Sequence, residues 1–217
     1  MKHAIPDAIL CGVKPAAYLL ASLAFAAATA QSASITAAVR DSLGAPLVDA
    51  VAWAVPRFAA PPRARREVAV EQVNKAFQPL VTVVQAETLV QFPNRDDIRH
   101  HVYSFSPAKV FELKLYAGTP VAPVLFDKPG EVVLGCNIHD HMIAYIYVVE
   151  TPFFAKAGRD GAARIEGLPA GEYDLHVWHY AQAARVDPQP LKLRAEDAAS
   201  AAFVVVRRPM PPRPPAK

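Results

Sequence analysis

After Ala30 the chain is built from short apolar runs separated by turn residues, and no stretch holds a helical period for long. The runs cover residues 34–39, 47–55, 79–84, 88–92, 101–105, 110–115, 121–126, 131–134, 143–149, 163–165, 173–178 and 202–206. Many are rich in Val, Tyr and Phe, which favour a pleated, half-buried surface. Turn signals stand between them, among them Ser42-Leu43-Gly44-Ala45-Pro46, Lys128-Pro129-Gly130 and Pro169-Ala170-Gly171. Strands at this spacing predict an all-β sandwich or barrel. Residues 59–66 and 181–190 are expected as connections, and no repeat of fixed period is visible.

The N-terminus departs from this pattern. Lys2, His3 and Lys14 precede an Ala- and Leu-rich run over 15–28, closed by Ala28-Thr29-Ala30. A basic start, a short apolar run and a small-x-small site predict a secretory signal peptide over 1–30. The run is too short for a membrane-spanning helix, so the mature chain is expected in the periplasm without stable membrane insertion. Cleavage after Ala30 would remove Cys11 and leave Cys136 alone. A lone cysteine in an oxidising compartment is an inert buried thiol, an intermolecular partner or a metal ligand.

Composition narrows the classes further. Hydrophobic residues make up 53% of the chain, enough for a packed core, and the formal net charge is only +3. No basic stripe with interleaved aromatics runs through the body, which argues against nucleic-acid binding. Arg207, Arg208, Arg213 and Lys217 fall in a Pro-rich segment, 207–217, expected as a disordered tail.

The chemistry concentrates in Gly135-Cys136-Asn137-Ile138-His139-Asp140-His141-Met142, between two apolar runs. Cys136, His139 and Met142 stand in a C-x2-H-x2-M spacing on a loop that can aim several side chains at one point. Upstream, His100 and His101 open another run. A thiolate, imidazoles and a weak thioether suit copper in both oxidation states, and a His2Cys set with a long axial Met is an electron-transfer arrangement. Zinc binds the same groups, but its structural sites seldom use Met. Taken singly, Cys136 and Met142 read as core residues and His139 and His141 as solvated loop residues. Taken together in one inter-strand loop, they favour a metal site. Neighbouring strand residues face opposite ways, so His100 and His101 do not both reach one metal. His101 and His141 are either polar surface residues or additional groups at the site, and Asp140 is expected in solvent.

The stretch from about Val68 to Glu150 resembles the cupredoxins, and within them the amicyanin-like, methylamine-utilisation group. Asn94-Arg95 through His100-x-Val102 is similar to the segment bearing that family's first histidine. Leu125-Phe126-Asp127-Lys128-Pro129-Gly130-Glu131-Val132 is similar to the strand and turn before its ligand loop. Cys136-x2-His139-x2-Met142 is similar to the loop itself. The resemblance implies one copper ion in a type 1 site, with His100, Cys136 and His139 as equatorial ligands and Met142 as the axial one. It also implies a Greek-key sandwich over 66–152. The chain departs from the family pattern at Arg99 and His101, where familiar members carry Pro and Asn, and in the aliphatic approach Val132-Val133-Leu134-Gly135.

The flanks resemble something different. Residues 39–50 and the Asp160–Tyr173 stretch, with Gly167-Leu168-Pro169-Ala170-Gly171, resemble the two ends of a carboxypeptidase-regulatory or transthyretin-like β-domain. The implied plan is a split sandwich, 31–58 and 157–206, with the copper domain inserted. His176 and His179 fall in its last part and are expected to be structural.

These readings converge on a periplasmic electron carrier rather than an enzyme, exchanging electrons with a dehydrogenase or cytochrome. The alternative is a copper-binding or copper-delivery protein, motivated by His101 and His141. A copper enzyme is weaker, because His139-x-His141 is the only paired His motif and overlaps the presumed site.

Overall fold

The computed structural model describes Met1 and residues 32–59, 66–120 and 122–209. The expected signal peptide, most of the 59–66 connection and the tail from 210 onward lie outside the described residues. Among the described residues there are seventeen strands and no helix. None of them forms a helix long and apolar enough to cross a membrane.

The first strands are β1 (Ala33–Asp41) and β2 (Val51–Pro56), followed by the short β3 (Glu67–Ala69), β4 (Glu71–Val73) and β5 (Ala76–Gln78). Next come β6 (Val81–Gln85), β7 (Thr88–Gln91), β8 (His100–Ser106) and β9 (Lys109–Tyr116). The ligand-loop region holds β10 (Val124–Phe126), β11 (Gly130–Gly135) and β12 (Ile143–Val149). The chain then forms β13 (Phe154–Lys156), β14 (Ala162–Leu168), β15 (Gly171–Trp178), β16 (Gln189–Leu193) and β17 (Ala198–Val205).

The middle of the chain makes a five-stranded sheet, β6-β12-β11-β8-β9, opposite a small sheet, β10-β7-β3. Their inward residues Val90, Val102, Phe126, Leu134 and Ile146 share one apolar cluster with Phe77 of β5 and with Phe92. The first and last strands make a second pair of sheets, β14-β1-β17 and β13-β2-β15-β16. Strand β1 shows the alternation that one-sided burial demands: Ala33, Ile35, Ala37 and Val39 are buried, and the residues between them are not. Ile35, Val39, Ala52, Leu175 and Phe203 close the core between these two sheets.

Three pairings are parallel, β1 with β17, β6 with β12 and β3 with β7, and the first two tie together the ends of long connections. A third apolar cluster joins the outer pair of sheets to the middle pair. It is built from Val51, Trp53, Val81, Tyr145, Val149 and Trp178. Trp53 lies 4.9 Å from Tyr147, and Tyr147 stacks on Trp178 at 4.7 Å between ring centroids. Polar bonds cross the same seam, from Trp178 Nε1 to Glu131 Oε2 at 3.3 Å and from Lys156 Nζ to the Val81 carbonyl at 3.0 Å.

Some local expectations shift. Gln189 and Pro190, expected to close a connection, instead open β16, which pairs with β15. Arg207 and Arg208, expected at the start of the tail, are bonded to the body. The Arg208 N–H donates to the Ala181 carbonyl, its guanidinium to the Tyr180 carbonyl, and Arg207 reaches Asp41 at 3.6 Å. His179 falls just past the end of β15.

Candidate metal centre

Strands β11 and β12 are antiparallel neighbours, with Gly135 opposite Ile143. The seven residues between them therefore form a hairpin loop that starts at Cys136 and ends at Met142. Bonds from Met142 N–H to the His139 carbonyl (2.9 Å) and from Ile143 N–H to the His141 carbonyl (3.1 Å) curl the loop tightly. His100 reaches the same end from β8, which lies beside β11.

Gly135 sets how closely those two strands approach. It faces Tyr103 across the sheet, and a Cβ at position 135 would lie 2.8 Å from the Tyr103 ring. The missing side chain leaves room for that ring directly beside the loop.

The donors converge. Cys136 Sγ lies 4.0 Å from His100 Nδ1 and 3.8 Å from His139 Nδ1. The ligating atoms of the three residues all lie within 4.8 Å of one another. Metal bonds of ~2.0–2.3 Å place donors roughly 3.5–4 Å apart around one ion, so the two sulfur–nitrogen distances suit a common centre. Among the described residues, no other group of three His, Cys, Asp or Glu side chains comes together in this way. Among the described residues Cys136 has no disulfide partner, which leaves its sulfur available.

Burial is graded across the site. His100 is fully buried, Cys136 is 3% exposed and Met142 1%, while His139 is only partly buried. Met142 packs in the same apolar cluster as Cys136 and Phe92. His141 is exposed, its ring 5.9 Å from that of His139. Burial foremost, and then the charges that His100 and His141 could carry, push the His139 pKa below the ordinary imidazole value. This favours the neutral ring that a metal requires.

His101 turns away from this point. Its Nε2 lies 3.0 Å from Glu112 Oε1 on β9, and its ring packs edge-on against Tyr103. His176 and His179 are engaged elsewhere. His176 stacks on Trp53 at 5.0 Å, and His179 bridges the Val48 carbonyl and the Ala181 N–H.

One residue of the site was not singled out from the sequence. Asp96 Oδ2 lies 2.7 Å from His100 Nε2, the ring nitrogen facing away from Cys136. The carboxylate also accepts the N–H groups of Asn74 (2.6 Å) and Lys75 (2.9 Å). Both of those residues have positive φ, 54° and 55°, as the two-residue turn of the β4–β5 hairpin requires. Burial pushes the Asp96 carboxyl upward, but the Lys75 N–H, the His100 ring and the Asn74 N–H outweigh it and hold the pKa below its ordinary value. Buried Asn94 shapes the segment: its side chain donates to the Ile98 and Tyr116 carbonyls and accepts the Asp96 N–H. The Asn94-x-Asp96 spacing was the available signal, since Asn and Asp at such positions brace tight turns.

No family model matches the chain, and no curated protein matches it. Solved structures show partial likenesses. A reduced variant of amicyanin shares 15% identity over 38% of this chain and 81% of its own, with a TM-score of 0.35. A purple cupredoxin from Nitrosopumilus maritimus shares 18% identity over 38% of this chain and 98% of its own, with a TM-score of 0.33. A copper-containing nitrite reductase from Thermus scotoductus SA-01 shares 26% identity over 54% of this chain but only 28% of its own, with a TM-score of 0.37. At these scores the likenesses assign nothing to the chain, whose chemistry is carried by its own donor set.

Proposed function

We propose that this chain is an exported electron carrier with a single type 1 copper centre held by His100, Cys136, His139 and, along the axis, Met142. The carrying observation is the convergence of His100 Nδ1, Cys136 Sγ and His139 Nδ1 at one end of a β-sandwich. Bound there, copper would supply a one-electron couple between Cu(II) and Cu(I). The protein's part is to hold the donors and exclude water. Two strands and a curled loop fix them, so little would rearrange as the charge changes. Buried His100, Cys136 and Met142 shield the inner side, and partly buried His139 offers the route to the surface. Ile138, 47% exposed beside it, gives a redox partner an apolar contact at that exit. Three strong donors and a thioether leave no open position for substrate, so the reading is a carrier and not an enzyme. The wider plan belongs to the same proposal: a signal peptide over 1–30, and a copper domain over 66–152 inserted in a transthyretin-like sandwich.

A second reading rests on His141. An exposed imidazole beside His139 suits a protein that takes up and releases copper. The two readings separate in the visible and EPR spectra of the Cu(II)-loaded chain, taken beside Cys136→Ser. An intense thiolate-to-copper band with narrow hyperfine splitting, lost in the variant, is the expected result. A weak, ordinary Cu(II) spectrum that survives loss of Cys136 would refute the carrier and leave a histidine-based binder.

A further inference from the structure

Resting on the copper reading above, we infer that Asp96 is a positioning residue of the centre, whose carboxylate fixes the His100 ring, strengthens its donor nitrogen and thereby holds the reduction potential down. An ionised carboxylate only accepts hydrogen bonds. At 2.7 Å from Asp96 Oδ2, His100 Nε2 must therefore carry the hydrogen. The lone pair is then left on Nδ1, the atom that faces Cys136 Sγ. Pairing the outer ring nitrogen with a carboxylate fixes the tautomer and raises ligand basicity. A more basic nitrogen favours the harder Cu(II) over Cu(I).

Asp96 is itself held, which distinguishes it from a chance surface contact. Its two oxygens take the N–H groups of Asn74 and Lys75, so the β4–β5 turn clamps the carboxylate against the ring. The neighbouring Arg95 points outward and pairs with Glu71 at 3.1 Å, both side chains being well exposed. The chain thus places a control position directly beside the residue to be tested.

The test uses the full copper-loaded chain and compares midpoint potentials for wild type, Asp96→Asn and Arg95→Gln. Removing such an outer partner typically weakens the metal ~10-fold or more. If that loss falls on Cu(II), a tenfold change raises the potential of Asp96→Asn by ~59 mV for one electron. Arg95→Gln should stay at the wild-type value. An unchanged potential in Asp96→Asn, or an equal shift in Arg95→Gln, would overturn the inference while leaving the copper reading intact. A wild type with no thiolate-to-copper band would overturn both. Should Asp96→Asn fail to fold, nitrogen NMR of the metal-free wild type decides. A hydrogen on His100 Nε2 is expected, and a ring carrying it only on Nδ1 would refute the proposal.

Discussion

The packing of Met142 and its proposed ligation of copper can be separated by substitution. Its side chain is 1% exposed within the cluster around Cys136. Truncation to Ala should cost ~2–5 kcal/mol in denaturant unfolding of the metal-free chain, because a buried cavity opens. Leu conserves the volume, so Met142→Leu should cost less than ~1.5 kcal/mol. A shift of the copper potential in that variant would then report on the thioether as an axial ligand. An unchanged potential would count against axial ligation while leaving the packing role in place. His100 differs from Met142 in this respect, since its Nδ1 faces Cys136 Sγ at 4.0 Å and an imidazole has no such apolar alternative.

The end of β15 is tied to the start of β2 by a histidine. His179 Nε2 donates to the Val48 carbonyl, and its Nδ1 accepts the Ala181 N–H, so the neutral ring satisfies both contacts. Burial foremost pushes its pKa below the ordinary value, with Val48 opposing and Arg207 reinforcing the effect. His176, half-buried and stacked on Trp53, is shifted downward by burial as well. Above a pH of about 6.5 both the folded and the unfolded chain hold these rings neutral. Below that, the unfolded chain binds protons that the folded chain does not, so stability falls as pH falls through the unfolded value. Urea unfolding of the metal-free chain should give a lower stability at about pH 5.5 than at about pH 7.5. His179→Gln should flatten part of that slope. Stability that holds constant or rises on acidification would rule out this account.

The two pairs of sheets are joined by an aromatic seam. Trp178 is 3% exposed, stacks on Tyr147 and donates to Glu131. Trp178→Ala should cost ~3–5 kcal/mol, the range for removing a buried tryptophan. Part of that loss falls on contacts between the outer and middle sheets, which are otherwise linked by Trp53–Tyr147 packing and the Lys156–Val81 bond. Calorimetry should therefore resolve two transitions in the variant and a single one in the wild type. A single transition at an unchanged temperature would mean that the seam does not couple the sheets. The parallel β1–β17 pairing makes such coupling consequential, since it joins strands from opposite ends of the chain.

Much of this was legible in the sequence, because the cues were local. Short apolar runs between turn residues marked β1, β8, β9, β12 and β15. The three-residue strands β3, β4, β5 and β13 escaped, being too short for any period to show. The pairing of Cys136 with His139 was legible because one loop holds both. The facing of His100 and His101 followed from strand geometry alone. Only the tertiary structure could bring His100 Nδ1 to Cys136 across 36 positions of sequence, or clamp Asp96 with a turn at Asn74 and Lys75. The all-β character and the donor types could be read along the chain, since both depend on neighbouring residues. The tertiary structure decided which atoms of those donors face one another and what braces them, because strand pairing sets distances that sequence separation does not encode.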